Sequence, residues 1–82
     1  MNKVRILFFA TLRDRAGTKS AEIEIPDGIT VQGLKAEVTH LYPGLKQSIA
    51  SALVSINREY ASDDEVLPNN AEVAIFPAVS GG

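Results

Sequence analysis

The chain has 82 residues, a formal net charge of −2 and no cysteine. One domain of this size buries about 60–65% of its unfolded surface and has little room for an enclosed catalytic cavity, so function is expected on a surface or at an end. Lack of cysteine excludes disulfides, thiolate metal sites and a cysteine nucleophile together, and an acidic balance without a Lys/Arg cluster argues against nucleic acid. Hydrophobic residues at 45% and charged residues at 22% are ordinary for a folded domain. No apolar h-region follows Met1-Asn2-Lys3-Val4-Arg5, and no apolar run approaches about 18 residues. Neither a signal peptide nor a membrane contact is expected, and a cysteine-free domain fits the cytoplasm.

Residues 3–11, KVRILFFAT, read as a strand with Val4, Ile6 and Phe8 on one face and Arg5, Leu7 and Phe9 on the other. Leu12 to Gly17 read as a turn or helical loop ended by glycine. Residues 21–25, AEIEI, form a second strand with Ala21, Ile23 and Ile25 inward and Glu22 and Glu24 in water, pairing with the first as a hairpin. Pro26-Asp27-Gly28 is a turn. Thr30 caps a helix from Val31 to about Tyr42. Its apolar stripe, Val31, Leu34, Val38 and Leu41, lies within an arc of about 80° at about 100° per residue. Gly33 costs about 1 kcal/mol inside that helix relative to alanine and is expected to mark a close approach to a strand. Pro43-Gly44 ends the helix.

Leu45 to Ala52 hold one further helical turn. Residues 52–57, ALVSIN, are a third strand, with Leu53 and Ser55 on one face and Val54 and Ile56 on the other. Asn57-Arg58-Glu59 turns the chain into a very short strand at Tyr60-Ala61. Ser62 to Glu65 form a polar connection and Pro68-Asn69-Asn70 another turn. Residues 72–76, EVAIF, are the last strand, with Val73 and Ile75 inward, Ala74 and Phe76 outward, and Pro77 at its end. One helix over one face of such a sheet makes an α+β domain, expected over residues 1–77, followed by a flexible tail at 78–82.

No catalytic constellation emerges. His40 lies about 180° from Val31 on the helix wheel and is expected in solvent. Asp63-Asp64-Glu65 lacks calcium-loop spacing and reads as solvated charge. Arg13 and Arg15 read as surface cations, with a phosphate or a partner's carboxylate as the alternative they could hold. That leaves Ala78-Val79-Ser80-Gly81-Gly82, which can extend about 17 Å. Glycine has no side chain to obstruct a narrow channel, so a carboxylate on such a thread can enter another protein's active site.

Strand-strand-helix-strand-strand order, a strand running into the tail, and a Gly-Gly ending together resemble the ubiquitin-like β-grasp proteins. More narrowly, FFATLRDRAG (Phe8 to Gly17), VSIN (Val54 to Asn57) and EVAIFPAVSGG (Glu72 to Gly82) resemble the small, sulfur-carrier subunits of molybdopterin synthase. The resemblance spans essentially the whole chain and is most specific at its end. That family often has two prolines before its Val-Ser/Thr-Gly-Gly; here the second is Ala78. The resemblance implies that the carboxylate of Gly82 is adenylated by an ATP-dependent E1-like activating enzyme, converted to a thiocarboxylate by a sulfur donor system, and used by the large synthase subunit to place sulfur on a pterin precursor. It implies no permanent cofactor or metal, only those transient covalent states, with the catalytic side chains on partners. Gly81 would fit the tail to its channel, and Phe9, Tyr60, Phe76, Arg13, Val79 and Ser80 would contact partners. Four alternatives stay open: a thiamin-type sulfur carrier, a tRNA-thiolation carrier, a ubiquitin-like protein modifier, or a passive β-grasp interaction module.

Overall fold

The computed structural model describes residues 2–78. β1 (Asn2–Phe8) buries Val4, Ile6 and Phe8 and leaves Lys3 and Arg5 open, as its alternation requires. It pairs antiparallel with β2 (Ser20–Ile25) and parallel with β5 (Glu72–Phe76). β5 pairs antiparallel with β3 (Leu53–Ile56), and β3 with β4 (Glu59–Ala61), giving the order β2-β1-β5-β3-β4. The helix α2 (Val31–Leu41) covers one face of this mixed sheet. The fold is α+β, as expected.

The first strand is shorter than its apolar run. It stops at Phe8, and Ala10–Ala16 form helix α1. A short apolar run cannot by itself separate strand from helix. Here burial decides: the chain reverses at Ala10, whose φ of 54° is left-handed, and so brings Leu12 to zero exposure in the core. Gly17, at φ 78°, closes α1 and donates its N–H to the Arg13 carbonyl at 3.0 Å. Truncating Leu12 to alanine is expected to cost about 2–5 kcal/mol. Denaturant unfolding checks this, and a loss under about 1 kcal/mol would show that α1 docks without it.

Thr30 caps α2 as expected, its hydroxyl accepting the Gly33 N–H at 3.2 Å. Val31, Leu34 and Val38 are fully buried, but Leu41 is 52% exposed. The stripe is centred nearer Val31 than expected: Tyr42, about 20° from Val31 at about 100° per residue, turns inward and packs edge-on against Phe8 with ring centroids 5.4 Å apart. Gly33 meets no strand. A Cβ there would lie 2.6 Å from the Ile29 side chain, so the crowding comes from the turn before the helix.

The chain then makes a 3-10 turn (Pro43–Leu45) and one turn of helix, α3 (Lys46–Ile49), burying Leu45 and Ile49. Gly44 lies where a Cβ would sit 3.0 Å from the Arg15 carbonyl. The turn between β3 and β4 is two residues, not three: Asn57 and Arg58 both have positive φ, and Glu59 is already paired with Ile56.

Several polar residues hold the loops. Lys35, buried on α2, donates to the carbonyls of Ala50 at 3.4 Å and Ala52 at 3.0 Å and pairs with Asp63 at 3.0 Å. The polar connection at 62–65 is therefore tied to the domain. Its Asp63 and Glu65 carbonyls accept the N–H groups of Gln32 and Val31, satisfying first-turn donors of α2. Buried Asn2 does the same for the 68–70 turn, donating to Pro68 O at 3.0 Å and accepting from Asn70 N at 2.9 Å.

Candidate functional site

The sheet face away from α2 carries the outward residues of β1, β3, β4 and β5. Strand register sets them in two rows. Leu7 lies opposite Ala74, Ala74 opposite Ser55, and Ser55 opposite Tyr60. In the next row Leu53 lies opposite Phe76. Phe9 continues that row just beyond β1, its N–H donating to the Ile75 carbonyl at 3.2 Å.

Phe9 and Phe76 stack with centroids 4.7 Å apart and planes 15° from parallel, and Tyr60 tilts toward Phe76 at 6.4 Å. The structure thus brings together the three aromatic residues singled out from the sequence. Phe9 is 40% exposed and Tyr60 75% exposed. A contiguous open cluster of large apolar side chains on a small domain is a candidate interaction surface. The cluster is larger than expected: Leu53, at 45% exposure, belongs to it. Strand parity alone groups Leu53 with Ser55; that theirs is the outward face, with Leu53 opposite Phe76, follows from a pairing between residues far apart in sequence.

Arg13 is exposed on α1 and lines a recess with Phe9, Arg5 and Lys19. Arg15 is exposed nearby on the same helix. His40 is exposed on α2, as expected. Asp64 accepts a 2.6 Å hydrogen bond from the Ser62 hydroxyl, and among the described residues no three His, Asp or Glu side chains are placed to hold a metal ion. No helix of the described residues is long and apolar enough to cross a membrane. Val79, Ser80, Gly81 and Gly82, including the expected working carboxylate, lie outside the described residues.

A model of the ThiS family matches residues 6–82, from the middle of β1 to the last glycine. The chain belongs to the ThiS family. Among its relatives, the molybdopterin synthase sulfur carrier subunit of Dictyostelium discoideum is 36% identical, over 99% of this chain and 98% of that protein. A Pyrococcus furiosus protein assigned as molybdopterin converting factor subunit 1 has the same fold, with a TM-score of 0.87 and 31% identity over 96% of this chain and all of its own. SAMP1 of Haloferax volcanii, a small archaeal modifier protein, superposes with a TM-score of 0.85 at 25% identity, over 99% of this chain and all of its own. The ThiS-family fold is the ubiquitin-like β-grasp, so both the fold and the family read from the sequence hold.

Proposed function

We propose that this chain is the sulfur-carrier subunit of a molybdopterin synthase, working through the carboxylate of Gly82. The observation that carries the reading is the end-to-end match to the Dictyostelium sulfur carrier, together with a family match that runs through Gly81-Gly82. An ionised carboxylate is a poor electrophile. Attack of that carboxylate on the α-phosphorus of ATP, with pyrophosphate leaving, makes an acyl adenylate. A donor of sulfide-level sulfur then displaces AMP, and the resulting thiocarboxylate sulfur attacks a carbon of the pterin precursor held by the large subunit, where an oxygen substituent leaves. Water cleaves the acyl–sulfur bond and returns the carboxylate.

The domain's part in this scheme is to present the tail and to dock. Phe76 ends β5 only six residues before Gly82, so a partner seated on the Phe9–Phe76–Tyr60 surface stands beside the start of the tail. Arg13, Val79 and Ser80 would add partner contacts around it, and Gly81 would pass the channel. The catalytic side chains would belong to the activating enzyme and the large subunit. Reconstitution tests the scheme: the thiocarboxylated chain, mixed with the large subunit and precursor, should yield the dithiolene, and the carboxylate form should not. Dithiolene formed equally from both would refute it.

His40 is expected to be dispensable. His40→Ala should leave sulfur transfer unchanged and shift stability by no more than about 0.5 kcal/mol, as for other exposed positions. A large activity loss with the melting curve intact would place a catalytic side chain on this subunit. The likeness to SAMP1 supports one second reading, attachment of Gly82 to lysines of target proteins. Isopeptide-linked adducts in cell extracts would favour it.

A further inference from the structure

The outward face is not flat. Ser55 and Ala74, two small residues side by side in register, lie between the larger Tyr60 and Leu7. With Phe9 and Phe76 on one flank and Arg58 and Glu72 on the other, they line a groove of about 390 Å³. Ser55 is only 7% exposed and, with Ala74, forms the floor of this groove.

The charge around this groove is opposite in sign to the chain as a whole. The chain has ten acidic residues against eight Lys and Arg. The recess beside Phe9 is nevertheless lined by Arg5, Arg13 and Lys19 with no acid, and Arg58 borders the groove itself. The nearby acids, Glu22 and Glu72, both lie opposite Arg5 in the sheet. Four cations, Arg5, Arg13, Lys19 and Arg58, thus stand beside these two acids, and none of the four forms an ion pair among the described residues.

We infer that the groove over Ser55 and Ala74 is a socket for one bulky apolar side chain of the partner, bordered on that partner by carboxylates. This deepens the docking reading and rests on it. The aromatic pair forms one wall of the socket, Ser55 and Ala74 form its floor, and the cations hold its acidic border. Such an arrangement separates two roles: the socket sets how long the partner stays, and the charges set how fast it arrives.

The test is a binding titration and association kinetics with the large subunit, each variant also being melted. Ala74→Leu fills the socket with a side chain that rests against Leu7, Tyr60 and Phe76. It should keep or raise the melting temperature and weaken binding by about tenfold or more, as overfilling a packed contact does. Should the leucine variant not fold, Ser55→Val with the same readouts replaces it. Lys19→Glu should slow association by about threefold or more at low salt, with the difference vanishing at high salt. Binding at full strength by a folded socket-filled variant overturns the socket, and an unchanged rate for Lys19→Glu overturns the acidic border. Phe76→Asp is measured alongside. If it too binds like the parent, the docking reading fails; if it alone loses binding, only the socket fails.

Discussion

Deleting Gly82, or adding one residue after it, is expected to abolish sulfur transfer while leaving the melting temperature of the domain unchanged. The described core runs from Val4 to Ile75, so a change at residue 82 falls well beyond it. Terminal positions outside a core tolerate such changes. The chemistry does not. In the proposed scheme the Gly82 carboxyl carbon must be held so that its oxygen reaches the α-phosphorus of ATP and, later, its sulfur reaches the pterin. One added residue displaces that carbon by about 3.5 Å, and a misplacement of about 1 Å can already cost a hundredfold in rate. Gly81→Val should give the same phenotype by another route, because a branched side chain must pass where only backbone is expected and resists positive φ. Melting temperature, partner binding and thioacid formation, measured on all three variants, separate these causes. An extended chain that still supports dithiolene formation untrimmed would show that Gly82 is not the working group.

Phe76→Asp is expected to lose binding to the large subunit by about 2 kcal/mol or more, the range of an interface hot spot. Phe76 stacks on Phe9, approaches Tyr60 and lies opposite Leu53, so a carboxylate there disrupts every apolar member of the surface at once. The core residues of the same strand, Val73 and Ile75, point to the other face and are untouched. Phe76 is half-buried, and loss of the stack carries a stability cost of about 0.5–1.5 kcal/mol. The melt and the titration must therefore be read together. Unfolding without a separable binding defect would place Phe76 in the core rather than on a docking surface.

Much of this surface was legible in the sequence because strands obey parity. Alternation in KVRILFF and EVAIF put Phe9 and Phe76 on the same side, and both are there. Thr30 and the Pro43-Gly44 stop similarly located α2, since capping and helix breaking are local. What escaped prediction depends on contacts between distant residues. Ala10 and Thr11 look like the end of a strand, and the helical loop expected from Leu12 starts two residues earlier because Leu12 finds space beneath the sheet. Leu41 and Tyr42 compete for the last inward position of α2, and the one that meets Phe8 takes it. Lys35 looks like a solvated lysine on a helix; it is buried because the carbonyls of Ala50 and Ala52 and the carboxylate of Asp63 supply all its partners. Parity groups Ser55 with Leu53 without telling which face is outward, and a floor beside Ala74 exists only once β3 and β5 are in register. The wide outer surface follows from the same register, whereas the terminal glycines owe their interpretation to the family match.

The covalent state of Gly82 decides whether this chain carries sulfur. The most direct measurement is intact mass spectrometry of the chain, followed by C-terminal peptide mapping, after incubation with ATP, an activating enzyme and a sulfur source. The expected result is a mass increase corresponding to replacement of one oxygen by sulfur, located on Gly82, dependent on ATP, and lost when Gly82 is deleted. An unmodified C-terminus under conditions that fully thiocarboxylate a known sulfur carrier with the same enzymes, or sulfur found at any other residue, would contradict it.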